Sequence, residues 1–81
     1  MLDRIQKSLA TLPPAERRVG QLVLQEPADF ARLPVGELAA RARVSRPTVV
    51  RFCRTLGYDG LSDFKSRLAS ELARGHETTP R

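Results

Sequence analysis

With 81 residues the chain has room for one small domain, and its single cysteine excludes an intramolecular disulfide or a multi-cysteine metal site. No apolar run comes near the ~20 residues that a membrane helix needs, and there is no charged-then-apolar leader, so a soluble cytoplasmic protein without membrane attachment is expected. The net charge of +5 is uneven: residues 1–40 hold five basic and five acidic side chains, residues 41–81 nine and four. Localised positive charge fits a polyanionic partner; the plainer reading is a solvated face on a basic protein.

Along the chain, Leu2, Ile5, Leu9 and Leu12 fall at i, i+3, i+7 and i+10. That spacing predicts an amphipathic first helix, ended by Pro13-Pro14. A second helix is predicted from Pro14 to Pro27, with Glu16 in its first turn and Val19, Leu22 and Val23 on its inner face. Gly20 falls mid-helix, where it costs up to ~1 kcal/mol relative to alanine; a close helix–helix approach accounts for it. Ala28–Leu33 reads as one helical turn anchored by Phe30 and Leu33, with Pro34 as terminator.

Leu38–Leu56 reads as two short helices joined by a tight turn. Leu38, Ala39 and Ala42 share one face. Ser45 is a good N-cap, Pro47 falls in the first turn, and Val49, Phe52, Cys53 and Leu56 form an apolar stripe. Gly57 suits a left-handed C-cap. Arg46, Val50, Arg51 and Arg54 project from the opposite side. From Arg41 to Tyr58 there are five arginines and no carboxylate. This is a helix-turn-helix pattern with its basic surface on the second helix, the one that enters the DNA major groove in that motif. A last helix follows, with Asp59 as N-cap, Leu61, Phe64, Leu68 and Leu72 inside, and Lys65 and Arg67 outside. Composition divides the chain into a domain over 1–74 and a disordered tail or start of a linker over 75–81. The fold is expected to be all-α, homeodomain-like, with about five short helices.

Leu38-Ala39, Ala42, Val44-Ser45, Thr48-Val49 and the run from Arg51 to Gly60 resemble the N-terminal domain of the RpiR family, bacterial transcription regulators in which a sugar-isomerase (SIS) domain senses phosphosugars. The resemblance covers about three quarters of the chain, and the segment Arg51-Phe52-Cys53-Arg54-Thr55-Leu56-Gly57-Tyr58-Asp59-Gly60 is its most specific part. Two positions depart from the pattern. Arg43 stands at the turn position where many helix-turn-helix proteins carry glycine, and Pro34 where the family usually offers a Ser or Thr cap. The resemblance implies a sequence-specific binder of double-stranded DNA, with residues 45–56 in the major groove. It also implies that a phosphosugar effector acts only through a C-terminal domain absent from this chain.

Arginine donates two parallel hydrogen bonds to guanine or binds phosphate, so Arg46, Arg51 and Arg54 lead the candidates. The resemblance puts Arg46, Pro47 and Arg51 opposite base edges. Ser45 and Thr48 suit phosphate oxygens. Val50 fits a thymine methyl, or is an incidentally exposed aliphatic. Arg41, Arg43 and Lys65 are further phosphate candidates. Cys53 reads as a small buried hydrophobe, Thr55 and Tyr58 as structural, and His76 stands alone. No catalytic pair is visible, and no enzyme, cofactor or metal is expected. A homodimer paired through spare apolar surface on residues 1–33 is expected. The rival from another class is a helical protein-interaction module whose basic face meets an acidic protein; an RNA reader is weaker, since the chain's four aromatics belong mostly to the core pattern.

Overall fold

Prolines set most of the breaks between helices. The computed structural model describes residues 1–78, and these form α1 (Leu2–Ser8), a 3₁₀ turn (Leu9–Thr11), α2 (Pro14–Gln25), α3 (Pro27–Arg32), α4 (Val35–Ala42), α5 (Arg46–Thr55) and α6 (Leu61–Thr78). The described residues contain no strand, so the all-α expectation holds, with six α-helices rather than about five. Pro14 and Pro27 occupy the first positions of α2 and α3, where a missing N–H costs nothing. Leu12 precedes Pro13 and is forced into extended backbone (φ −78°, ψ 146°). The first helix therefore tightens into the 3₁₀ turn instead of running to Leu12. Arg17 holds that turn from α2, donating from Nε to the Leu9 carbonyl (3.0 Å) and from Nη2 to the Leu12 carbonyl (3.0 Å).

The predicted apolar stripes converge on one core. Ile5, Val19, Val23, Phe30, Leu38, Val49, Phe52, Cys53, Phe64 and Leu68 are fully enclosed. Phe64 is the hub: Phe30, Phe52 and Tyr58 meet it edge-on at ring-centroid distances of 5.5, 5.6 and 5.1 Å. Such T-shaped pairs set positive ring edges against negative ring faces. Gly20 marks the crossing of α1 and its 3₁₀ turn, α2 and α5, because a Cβ there would stand 2.8 Å from Leu9 Cδ2, 3.3 Å from Phe52 Cε1 and 3.5 Å from Ile5 Cγ2.

The apolar surface on α1 and α2 is not spare. Ile5, Leu12, Val19, Leu22 and Val23 are buried, and Leu2, Leu9 and Leu24 pack against the core. No large hydrophobic side chain is exposed among the described residues. These helices wrap the motif and bury most of their apolar surface in doing so.

At the start of α6 the Phe64 N–H bonds the Gly60 carbonyl (3.0 Å), which makes Gly60 the cap residue in place of Asp59. Asp63 reaches back to accept the Asp59 N–H (3.1 Å). That bond, and then Arg67, hold the Asp63 carboxyl below its usual range. The helix continues through 75–78, past the boundary drawn from composition at Arg74. Residues 79–81 lie outside the described residues.

Candidate nucleic-acid interface

The two motif helices, α4 and α5, end in the same way. At the end of α4 the Arg43 N–H bonds the Ala40 carbonyl (3.2 Å) and the Val44 N–H the Ala39 carbonyl (3.0 Å). At the end of α5 the Gly57 N–H bonds Arg54 (2.9 Å) and the Tyr58 N–H bonds Cys53 (3.1 Å). Both are Schellman closures, which need a left-handed residue at the penultimate donor. Gly57 supplies it at φ 97°. Arg43 supplies it at φ 60°, ψ 47°, and is the only non-glycine with positive φ among the described residues. The short turn between the helices demands this conformation, whichever residue stands there.

Ser45 caps α5 as expected, its Oγ accepting the Thr48 N–H at 3.3 Å. The same Oγ lies 2.8 Å from Thr48 Oγ1. Thr48 is buried at 7% exposure. Its hydroxyl is engaged by Ser45, so Thr48 takes part in the cap. Arg46, Pro47, Arg51 and Arg54 are exposed and Val50 is half-buried, all on the side of α5 opposite Val49, Phe52 and Cys53. Arg54 Nε donates to the Asp59 carbonyl (3.2 Å), which steadies the side chain while leaving guanidinium N–H groups free.

Ion pairing sorts the other cations. Arg41 is held by Glu26 (3.1 Å), Glu37 (3.3 Å) and Asp29 (3.7 Å). The Glu37 hydrogen bond, then Glu26, raise its pKa further. Arg41 is therefore tied into the α2–α3–α4 junction. Lys65 is half-buried, and its ammonium donates to the Leu33 carbonyl at the end of α3. It lies on the α3–α6 seam. Arg43 is exposed, and no carboxylate of the described residues pairs with it, with Arg46 or with Arg51.

Two arginines from the electrically neutral half stand at the ends of the motif helices. Arg18, exposed on α2, donates from Nη1 to the Arg43 carbonyl (3.5 Å) at the end of α4. Arg4, exposed on α1, brings Nη2 to 3.6 Å from where a Gly57 Cβ would stand, at the end of α5. Each cation sits at a helix C-terminus, where the macrodipole favours it. An even charge count hid them. Asp3 pairs with Lys7 and Asp29 with Arg32, while Glu16 is buried, so the neutral half has little acid left beside Arg4 and Arg18. No group of His, Cys, Asp and Glu suited to a metal occurs among the described residues. No helix among them is long and apolar enough to cross a membrane.

Residues 1–75 match the family described as helix-turn-helix domain, rpiR family. Among curated proteins, the chain is 49% identical over 72 residues to the bifunctional protein glk of Paraburkholderia xenovorans, covering 89% of this chain and 11% of that protein. It is 44% identical over 75 residues to the HTH-type transcriptional regulator HexR of Pseudomonas aeruginosa, covering 93% of this chain and 26% of HexR. Among solved structures, the N-terminal domain of ybbH from Bacillus subtilis superposes with a TM-score of 0.84 at 38% identity, over 89% of this chain and 88% of that one. The NanR protein of Vibrio vulnificus, complexed with ManNAc-6P, superposes with a TM-score of 0.86 at 33% identity, over 90% of this chain and 28% of that one. The chain thus spans only a small share of the curated relatives it matches.

Proposed function

The chain belongs to the rpiR family of helix-turn-helix domains and is the DNA-binding part of a transcriptional regulator; from that premise we propose that α5 lies in the major groove and reads sequence chiefly through Arg51. The observation that carries this reading is the face of α5: Arg46, Arg51 and Arg54 are exposed together with no carboxylate bonded to any of them. Arg43, Arg18 and Arg4 extend the positive surface at the ends of the motif helices, towards the phosphates flanking the groove. Ser45 adds one hydroxyl at the cap.

The domain works as a module within longer chains, since it matches 26% of HexR and 11% of glk. In its regulator we propose that a phosphosugar is sensed outside these residues, a reading supported by the ManNAc-6P complex of NanR. The regulator acts as a homodimer in the cytoplasm, because one motif reads too few base pairs to single out a site in a genome. Two-fold pairing sets two α5 helices on half-sites a helical turn apart. With α1 and α2 consumed in the core, the pairing surface falls mainly to the rest of the protein. The domain itself performs no catalysis.

Duplexes enriched from a random library by the 81-residue chain test the reading, followed by titration of one enriched duplex across salt concentrations. A reproducible motif is expected, with log K falling against log[salt] by about 0.9 per phosphate contact. Affinity that ignores salt, or equals that for an acidic protein, would favour the interaction-module reading instead.

A further inference from the structure

Arg46 stands at the first position of α5, yet its guanidinium does not hang free over the groove-facing side. It lies back across the first turn of α4. A Cβ on Gly36 would stand 3.0 Å from Arg46 Nη2, 3.4 Å from Nε and 3.5 Å from Cζ. Gly36 is thus the place where the guanidinium rests; a Cβ there would make it give by a few tenths of an ångström, and a larger side chain by more. No carboxylate holds Arg46 in this position among the described residues: the nearby Glu37 bonds Arg41 instead. The contact is steric, between a bare stretch of helix and a flat cation.

In helix-turn-helix docking the recognition helix follows the groove, while the first helix crosses the sugar–phosphate backbone. A guanidinium that starts on α5 but rests against α4 lies where the backbone runs. We propose that Arg46 is a phosphate anchor, not a base reader, and that Gly36 is the residue that positions it. This rests on the DNA-binding reading above and reassigns one residue within it. Base discrimination is left to Pro47, Val50 and Arg51. Holding a long side chain in place before binding reduces the entropy lost when the phosphate is gripped. Arginine suits the task, because its planar fork matches phosphate oxygens.

The test uses the 81-residue chain, one duplex enriched from a random library and one scrambled duplex. Arg46→Gln is expected to weaken binding to both duplexes by a similar factor. It should lower the salt slope by about 0.9 and leave the enriched motif unchanged. Gly36→Leu should act in the same direction, with an unchanged or higher melting temperature, and should have no further effect on top of Arg46→Gln. That lack of additivity is the signature of a residue acting through another. A changed motif with an unchanged slope would make Arg46 a base reader and overturn the proposal. So would Gly36→Leu and Arg46→Gln effects that simply add. If the unmodified chain selects no motif and binds no duplex, the function itself is wrong and this assignment goes with it.

Discussion

The Thr55 hydroxyl donates to Glu16 Oε1 at 2.9 Å, tying the last turn of α5 to the first turn of α2. Glu16 is a carboxylate only 5% exposed, and the described residues contain no buried side-chain polar atom without a partner. The acid sits in the first turn of its helix, where the dipole favours a negative charge. This bond fixes the far end of the recognition helix on the scaffold.

Removing the donor should therefore cost more than its size implies. Thr55→Val leaves a buried carboxylate without its hydroxyl partner, at about 1–3 kcal/mol. For a domain of this size each kcal/mol lowers Tm by about 4–8 °C. Glu16→Gln keeps an acceptor for Thr55 and should cost less. Melting curves of both single variants and the double variant give the coupling directly. Independent, additive losses would show that the bond carries no stability.

Arg43 predicts a trade of opposite signs. Its left-handed backbone costs a non-glycine residue roughly 1–2 kcal/mol. Arg43→Gly should raise stability by about 1 kcal/mol, because glycine takes this conformation freely although it loosens the unfolded chain. The same change removes an unpaired cation beside the groove and should lower the salt slope by about 0.9. Melting and anisotropy measured on one preparation check both signs. Higher Tm with unchanged DNA affinity would remove Arg43 from the interface.

Cys53 should be silent. Burial pushes its thiol from an ordinary 9.0 up to about 12. At pH 8 that leaves ~1 thiol in 10,000 as the reactive thiolate. The native chain should resist thiol reagents at pH 8 and take up one equivalent when denatured. The raised value also links to stability. Below pH ~9 both folded and unfolded forms keep the proton and the contribution is whole; from there towards 12 the unfolded thiol ionises first and stability falls. Cys53→Ala should flatten that alkaline decline relative to the parent chain. Rapid labelling of the native protein would mean the α5 core opens easily.

Much of this was legible from spacing alone. Val49, Phe52, Cys53 and Leu56 fall on one helical face in the sequence and are all buried. The Ser45 cap follows from the residue type and its place before Pro47, and the left-handed Arg43 stands where helix-turn-helix proteins often carry glycine. What spacing does not carry is who pairs with whom. Arg41 and Arg43 look alike in sequence, yet one lies among carboxylates from α2, α3 and α4 and the other has none. Thr48 turned inward because its own cap residue took its hydroxyl. Lys65 found the Leu33 carbonyl just past α3, and the stripes of α1 and α2 found the motif itself. Each outcome depends on where distant segments meet, which no periodicity records.

The contrast between Arg41 and Arg51 gives the sharpest test of that sorting. Both are exposed arginines within the basic stretch. Arg41 donates to Glu26 and Glu37, so its charge is already matched inside the fold. Arg41→Ala should leave the salt slope and the enriched motif unchanged; these exposed pairs are worth at most ~1 kcal/mol each, so its effect falls on Tm. Arg51 has no such partner and projects from the middle of α5. Arg51→Ala should weaken the enriched duplex by about 1–3 kcal/mol and relax one or two base positions, while barely changing binding to scrambled DNA. Melting temperature should stay within about 4 °C, because an exposed side chain without partners contributes little to folding. The two variants thus differ in kind: one changes stability and spares DNA, the other the reverse. If Arg41→Ala lowers the salt slope as much as Arg43→Gly does, the carboxylates around Arg41 do not shield it and the interface extends along α4. If Arg51→Ala leaves the motif intact, sequence is read from elsewhere on α5.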